Sequence, residues 1–272
     1  MKSLRIAAVL LPVLGVLSLF CAPCQAGSIS LSSSMTISAS AKDVTVTVHL
    51  ENRGDSAAHD VRTLLSILDQ RLASETVTRL PPGKALKISY FRKVDPVPKG
   101  SFPAVLLTDY ADETGAAFSA LHVAAFDTKP GIRTNLVTQT APAEIAKSAK
   151  LRLTVENPGD RARDIRVRLI LPREFTGKDR NRVFLLDSGE QRGLDFTVEN
   201  RSALEGAAYS AAFMAEYDED YVHHTVVAES RLTVVPERGL LGRLRPLWWA
   251  VLGLCVLGFI IALLRRKGLS TY

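Results

Sequence analysis

The densest group of side chains able to bind a metal is Asp218-Glu219-Asp220, followed closely by His223-His224. Carboxylates suit calcium and imidazoles suit zinc, provided that they converge on one point. Adjacent histidines on a strand point to opposite faces, so these two do not chelate one ion. Asp112-Glu113 occupies a corresponding place earlier in the chain, which favours a polar turn over an ion site. Asp218, Glu219 and Asp220 are the metal candidates, and no metal is expected. Hydrolytic and phosphoryl-transfer chemistry lacks its motifs. There is no Gly-x-Ser-x-Gly, no Gly-x-x-x-x-Gly-Lys-Ser/Thr, no His-Glu-x-x-His, and no Cys-x-x-Cys within residues 28–236. No catalytic residue, cofactor or small-molecule ligand is expected. Tyr90, Phe91 and Tyr221 offer aromatic surface of the kind that stacks on sugars, although strand aromatics more often build cores. Arg53-Gly54-Asp55-Ser56 matches a tetrapeptide gripped by some cell-adhesion receptors.

The two ends of the chain restrict where any such chemistry can operate. Lys2 and Arg5 precede an apolar run from Ile6 to Phe20, and small residues follow at Cys24-Gln25-Ala26. This order of basic, apolar and small predicts a signal peptide over 1–26, cut after Ala26. From Leu247 to Leu264 no charge interrupts the apolar sequence, and at about 1.5 Å per residue a helix there spans about 27 Å. Trp248 and Trp249 stand at an aromatic-belt position, and Arg265, Arg266 and Lys267 follow the span, which predicts a cytoplasmic C-terminus. The expected order is a signal at 1–26, domains at 27–128 and 129–236, a juxtamembrane linker at 237–246, a span at 247–264 and a tail at 265–272.

Charge supports that division. The chain has 34 basic and 28 acidic residues; setting aside the two basic residues before position 28, and six basic and one acidic from Glu237 onward, leaves 26 against 27. A nearly neutral exported part gives no electrostatic footprint for nucleic acid, so no nucleic-acid partner is expected. Cys21, Cys24 and Cys255 all fall in the signal or the span. The exported part must therefore be held by burial without a disulfide.

An internal repeat organises what lies between. "ENRGDSAAHDVR" at 51 returns as "ENPGDRARDIR" at 156. The offset holds downstream, where Pro82-Gly83 matches Ser188-Gly189, Lys99-Gly100 matches Glu205-Gly206, and Asp109-Tyr110 matches Glu216-Tyr217. Within each copy the apolar period is two, as in Val44, Val46, Val48 and Leu50 or Leu151, Leu153 and Val155. Strands are expected near 61–68, 85–92, 102–110 and 116–126, and again near 165–171, 192–199, 208–217 and 222–235. Turn signals every eight to twelve residues, with no amphipathic helix, predict β-sandwiches. The repeated block reads as a corner between strands built on Asn52, Gly54 and Asp55, and on Asn157, Pro158, Gly159 and Asp160. Asn-Pro-Gly-Asp predicts a type II turn with glycine at positive φ, and Ala57 and Ala162 leave room at the crossing.

A strand ending in Glu-Asn-x-Gly-Asp, an Asp-Ile/Val-Arg strand, a Gly-containing turn and a strand ending in Asp/Glu-Tyr resemble bacterial and archaeal immunoglobulin-like domains of the CARDB and NEW3 type. The resemblance covers residues 40–126 and 147–235, and "ADETG" and "DEDYVHH" replace the Asn-rich stretch found in CARDB. It implies two tandem immunoglobulin-like β-sandwiches, and with the apolar run 247–264 the expected fold is all-β, two such domains followed by one C-terminal transmembrane helix. Such domains serve as spacers, adhesion modules and accessory parts of surface proteins. The expected role is a single-pass membrane protein with its body outside the cytoplasm, acting as a scaffold or interaction module for another envelope protein. The alternatives are an export or assembly accessory that pairs an edge strand with a client, and a carbohydrate-binding surface module.

Overall fold

A computed structural model describes residues 27–237, and every element in that range is a strand. The expected signal peptide, the span 247–264 with Trp248 and Trp249, and the tail with Arg265, Arg266 and Lys267 lie outside the described residues. Among the described residues no helix is long and apolar enough to cross a membrane.

The first half of the body contains β1 (Leu31–Ala39), β2 (Asp43–Asn52), β3 (Ala58–Ile67), β4 (Gln70–Ala73), β5 (Val77–Leu80), β6 (Ala85–Lys93), β7 (Ser101–Ala111) and β8 (Ala117–Asp127). They form one sheet in the order β1-β2-β6 and another in the order β4-β3-β7-β8, with β5 also paired to β3. The second half contains β9 (Val137–Thr140), β10 (Ala143–Ile145), β11 (Ser148–Glu156), β12 (Arg163–Ile170), β13 (Phe175–Gly177), β14 (Asn181–Leu186), β15 (Gln191–Asn200), β16 (Ala208–Glu219) and β17 (Val222–Val234). Its sheets run β13-β15-β11-β9 and β10-β17-β16-β12-β14.

Alternation explains the packing. Val44, Val46, Val48 and Leu50 are all at most 1% exposed, and Val46 and Val48 pack with Leu65, Leu106 and Phe126 from the facing sheet. In the second half Leu151, Leu153 and Val155 meet Ile165, Val167, Phe213 and Leu232 in the same way. Apolar residues on one face of each sheet thus close two separate sandwich cores, each removed from water.

Every expected strand forms, and the structure adds β1, β4, β5, β9, β10, β13 and β14. The serine-rich β1 is half buried, and its burial alternates only in its second half. Most of the others are three or four residues long, too short to display a period.

The corner differs from the expected type II turn. Neither Gly54 nor Gly159 adopts positive φ, whereas Gly83 and Gly189 do, at 68° and 72°. The demand at Gly54 is space: a Cβ there would stand 2.1 Å from the Ser28 carbonyl oxygen, and one on Gly159 would stand 2.1 Å from Arg163 Nη1. Ala57 is buried as the crossing requires, but Ala162 is exposed and Arg163 turns inward instead. A bulge between His59 and Arg62, with Asp60 at φ 50°, absorbs the extra residue of the first copy.

Candidate functional site

The asparagine of each repeat is a buried clamp. Asn52 Nδ2 donates to the carbonyls of Ser56 and Leu80 at 2.8 and 3.0 Å, and its Oδ1 accepts from Gly54 N–H. Asn157 Nδ2 donates to Arg161, Leu186 and Asp187 at 2.8, 3.1 and 3.1 Å, and its Oδ1 accepts from Gly159 N–H. Both side chains are 0% exposed, and their backbone carbonyls accept from Gly83 N–H and Gly189 N–H. One residue therefore ties the corner to the distant hairpin turn in each sandwich, which is a larger role than capping a turn.

The three acidic residues flagged for metal go to separate cations. Asp218 pairs with Arg166, Glu219 takes a two-pronged bond from the buried Arg163 at 3.0 and 3.1 Å, and Asp220 approaches Arg161 at 3.9 Å. Among the described residues no group of three or more His, Cys, Asp or Glu is placed to hold an ion. The aromatic candidates also separate. Tyr90 is buried and bonded to Thr63, while Phe91 and Tyr221 are exposed on different sandwiches. Arg53 pairs with Glu51 at 2.7 Å, and Gly54 and Asp55 pack on residues 28–30, so the adhesive tetrapeptide is not a free loop.

Sequence reasoning did not reveal how the sandwiches meet. The outer face of β7 and β8 lies against the outer face of β12, β16 and β17, where Leu121 and Val123 pack with Ala212 and Met214, flanked by Val105, Leu107, Ile170 and Val227. Glu174, 2% exposed, accepts from the Ser119 N–H and hydroxyl at 2.5 and 2.6 Å. Arg173 beside it pairs with Asp109 at 2.6 Å. At the other end the His223 ring stacks on Phe102 with 4.8 Å between ring centres, and the His223 backbone N–H donates to the Lys99 carbonyl. Gly100 allows that approach, since a Cβ would lie 2.5 Å from the His223 carbonyl oxygen. Apolar packing and charge-assisted hydrogen bonds thus fuse the halves into one body.

Protonation acts on this junction. His223 Nδ1 lies 2.7 Å from Asp218 and Nε2 lies 3.3 Å from Glu216, so both ring nitrogens face carboxylates. Only the imidazolium donates to both. The bond to Glu216 raises the His223 pKa, burial opposes this, and Asp218 reinforces it. Burial pushes Glu216 up, but the bonds from His223 and Arg168 outweigh it and the net shift is downward. The His223 contribution is therefore complete below the ordinary histidine value of about 6.5 and is lost as pH rises through its raised folded value. The Glu216 contribution is lost in the opposite direction, as pH falls through its lowered value. Stability should thus decline on the alkaline side by about 1 kcal/mol, a few degrees in Tm, and His223→Gln should remove that decline. Thermal unfolding of both chains from pH 6 to 9 checks this.

A groove of about 780 Å³ runs beside the junction, with Ser30, Tyr110, Phe118, Tyr209 and Arg231 among its walls. None of the buried polar atoms lacking a partner belongs to a residue lining it. The sheet edges are more informative. β4, β9, β10 and β13 are short, β6 carries Lys87, Arg92 and Lys93, devices that discourage pairing, and the longer edges β1 and β8 expose no large apolar side chain. The six-residue β14 ends its sheet with Val183 and Leu185 exposed at 72% and 53% on one face. Arg182 and Phe184 turn away, over Phe196 and under Arg192 respectively. An unpaired edge with two apolar side chains in water is the surface best suited to receive another strand.

Among the described residues, fold and surface define an all-β body of two sandwiches joined face to face. No family model matches the chain, and no curated protein matches it. Among solved structures it is similar to red sea bream transglutaminase, at 15% identity and a TM-score of 0.27, covering 74% of this chain and 31% of that one. It is also similar to a mutant of Salmonella alpha-2-macroglobulin, at 10% identity and a TM-score of 0.31, covering 75% and 16%. The chain thus spans less than a third of either neighbour's length.

Proposed function

We propose that the chain is a membrane-anchored envelope protein whose two immunoglobulin-like sandwiches form a rigid interaction module, and that a partner envelope protein adds a strand along β14. The observation that carries this reading is the pair Val183 and Leu185, exposed together on one face of an unpaired edge strand, whereas the edge strands β6 and β9 each expose a single large apolar side chain, Phe91 and Val137. Main-chain bonds to the edge would supply affinity, and pockets for the two side chains would supply selectivity. The charge-free run 247–264 and the basic residues after it support anchoring, and a near-neutral body disfavours unspecific capture of charged polymers.

A photoreactive residue at position 183 in intact cells tests the proposal. The expected result is one defined adduct that is missing when the probe stands at 87 on β6. Leu185→Lys should abolish the adduct while changing stability by less than about 0.5 kcal/mol, because the side chain is in water. Equal labelling from both positions, or an adduct indifferent to Leu185→Lys, would count against β14.

A further inference from the structure

The corner containing Arg53-Gly54-Asp55 grips the start of the described chain. Arg53 N–H donates to the Ser30 carbonyl at 2.7 Å, and Asp55 and Ser56 N–H donate to the Ser28 carbonyl at 2.9 and 3.2 Å. Ser28 N–H returns a bond to Asp55 Oδ1. Gly27 lies so close that a Cβ on it would fall 1.8 Å from Ser56 Oγ and 3.5 Å from Asp55 Oδ1. The α-nitrogen of Gly27 is one bond from that Cα. The Ser28 N–H chiefly holds the Asp55 carboxyl below its ordinary range, so it is a carboxylate at neutral pH. Among the described residues its side-chain partners are Ser28 N–H and the Ser56 hydroxyl, and no Lys or Arg is paired with it.

We propose that this corner is a receptor for the chain's own processed N-terminus: cleavage after Ala26 frees the Gly27 α-ammonium, which docks on the Asp55 carboxylate and pins the start of β1. The inference rests on the signal-peptide reading of 1–26, with Cys24-Gln25-Ala26 before the cut. Cleavage by a signal peptidase adds one water across the Ala26–Gly27 amide. It leaves a carboxylate on Ala26 and an amine on Gly27 that takes up a proton. An intact amide at that place is neutral and gives Asp55 no counter-charge, so only the processed chain completes the corner. A side chain at position 27 would press on Ser56, displacing its Oγ.

The full-length chain, recovered after export, provides the test. Its terminal mass should show Gly27 as the first residue. The α-amine should titrate above the ordinary range of about 7.7–8.0, and at pH 7.5 a short pulse of acetylating reagent should modify it about tenfold more slowly than in Asp55→Asn. A terminus other than Gly27 overturns the processing reading and the docking with it. A Gly27 terminus that titrates in the ordinary range overturns the docking alone and leaves processing standing. That titration uses the unsubstituted chain, so it decides the matter even where Asp55→Asn fails to fold.

Discussion

An Asn157→Ala variant is expected to lose about 3 kcal/mol of unfolding free energy, and Asn52→Ala about 2 kcal/mol, read as shifts of the urea midpoint at constant slope. Each amide is fully buried, and removing it leaves the buried carbonyl of Leu80 or Leu186 without this donor. The second copy should suffer more because Asn157 Oδ1 also receives Arg163 Nη1. Arg163 is 4% exposed at its side chain, stands 5.2 Å over the Tyr217 ring, and has Glu219 as its counter-charge at 3.0 Å. Glu219→Ala would leave that guanidinium buried without its partner, a change that typically costs about 3–5 kcal/mol. Losses below about 1 kcal/mol in both asparagine variants would show that the clamp is not what joins corner to hairpin.

The asparagine clamp was half legible. The repeat located Asn52 and Asn157, and their recurrence with Gly54 and Gly159 marked a shared backbone requirement. Its nature was not legible, because a glycine chosen for close approach reads the same as one chosen for positive φ. Arg163 stands where the two copies diverge, and that divergence was the available sign of a buried ion pair. The sandwiches themselves followed from alternation, as in β2 and β11. The junction left a subtler trace in β16, where Ala211-Ala212-Phe213-Met214-Ala215 has no alternation because both faces are covered. Odd positions enter the second core, and Ala212 and Met214 meet the first sandwich. An unbroken apolar run in an antiparallel strand is the signature of a second buried face, as it is for parallel sheets. Glu174 and Ser119 carry no such signature, since single polar residues acquire partners only through the fold.

Met214→Glu should produce the other large effect. Met214 is 1% exposed and packs at the junction with Leu121 and Val123. An unpaired carboxylate there would be expelled or would destabilise the junction by about 4 kcal/mol or more. Phe213 and Ala215 point into the second sandwich's own core, which the substitution leaves intact. The expected result is a calorimetric trace that changes from one cooperative transition in the wild type to two in the variant. A single unshifted transition in Met214→Glu would mean that the apolar contact contributes nothing to coupling.

Two sandwiches that move as one body would let β14 present a partner strand at a fixed angle. Pulsed electron paramagnetic resonance between spin labels at Lys87 on β6 and Asp195 on β15 tests that rigidity most directly, with labels carried on non-natural residues because Cys21, Cys24 and Cys255 are native thiols. One narrow distance distribution is expected in the wild type, broadening in Met214→Glu. A broad or multiple distribution in the wild-type chain would contradict it.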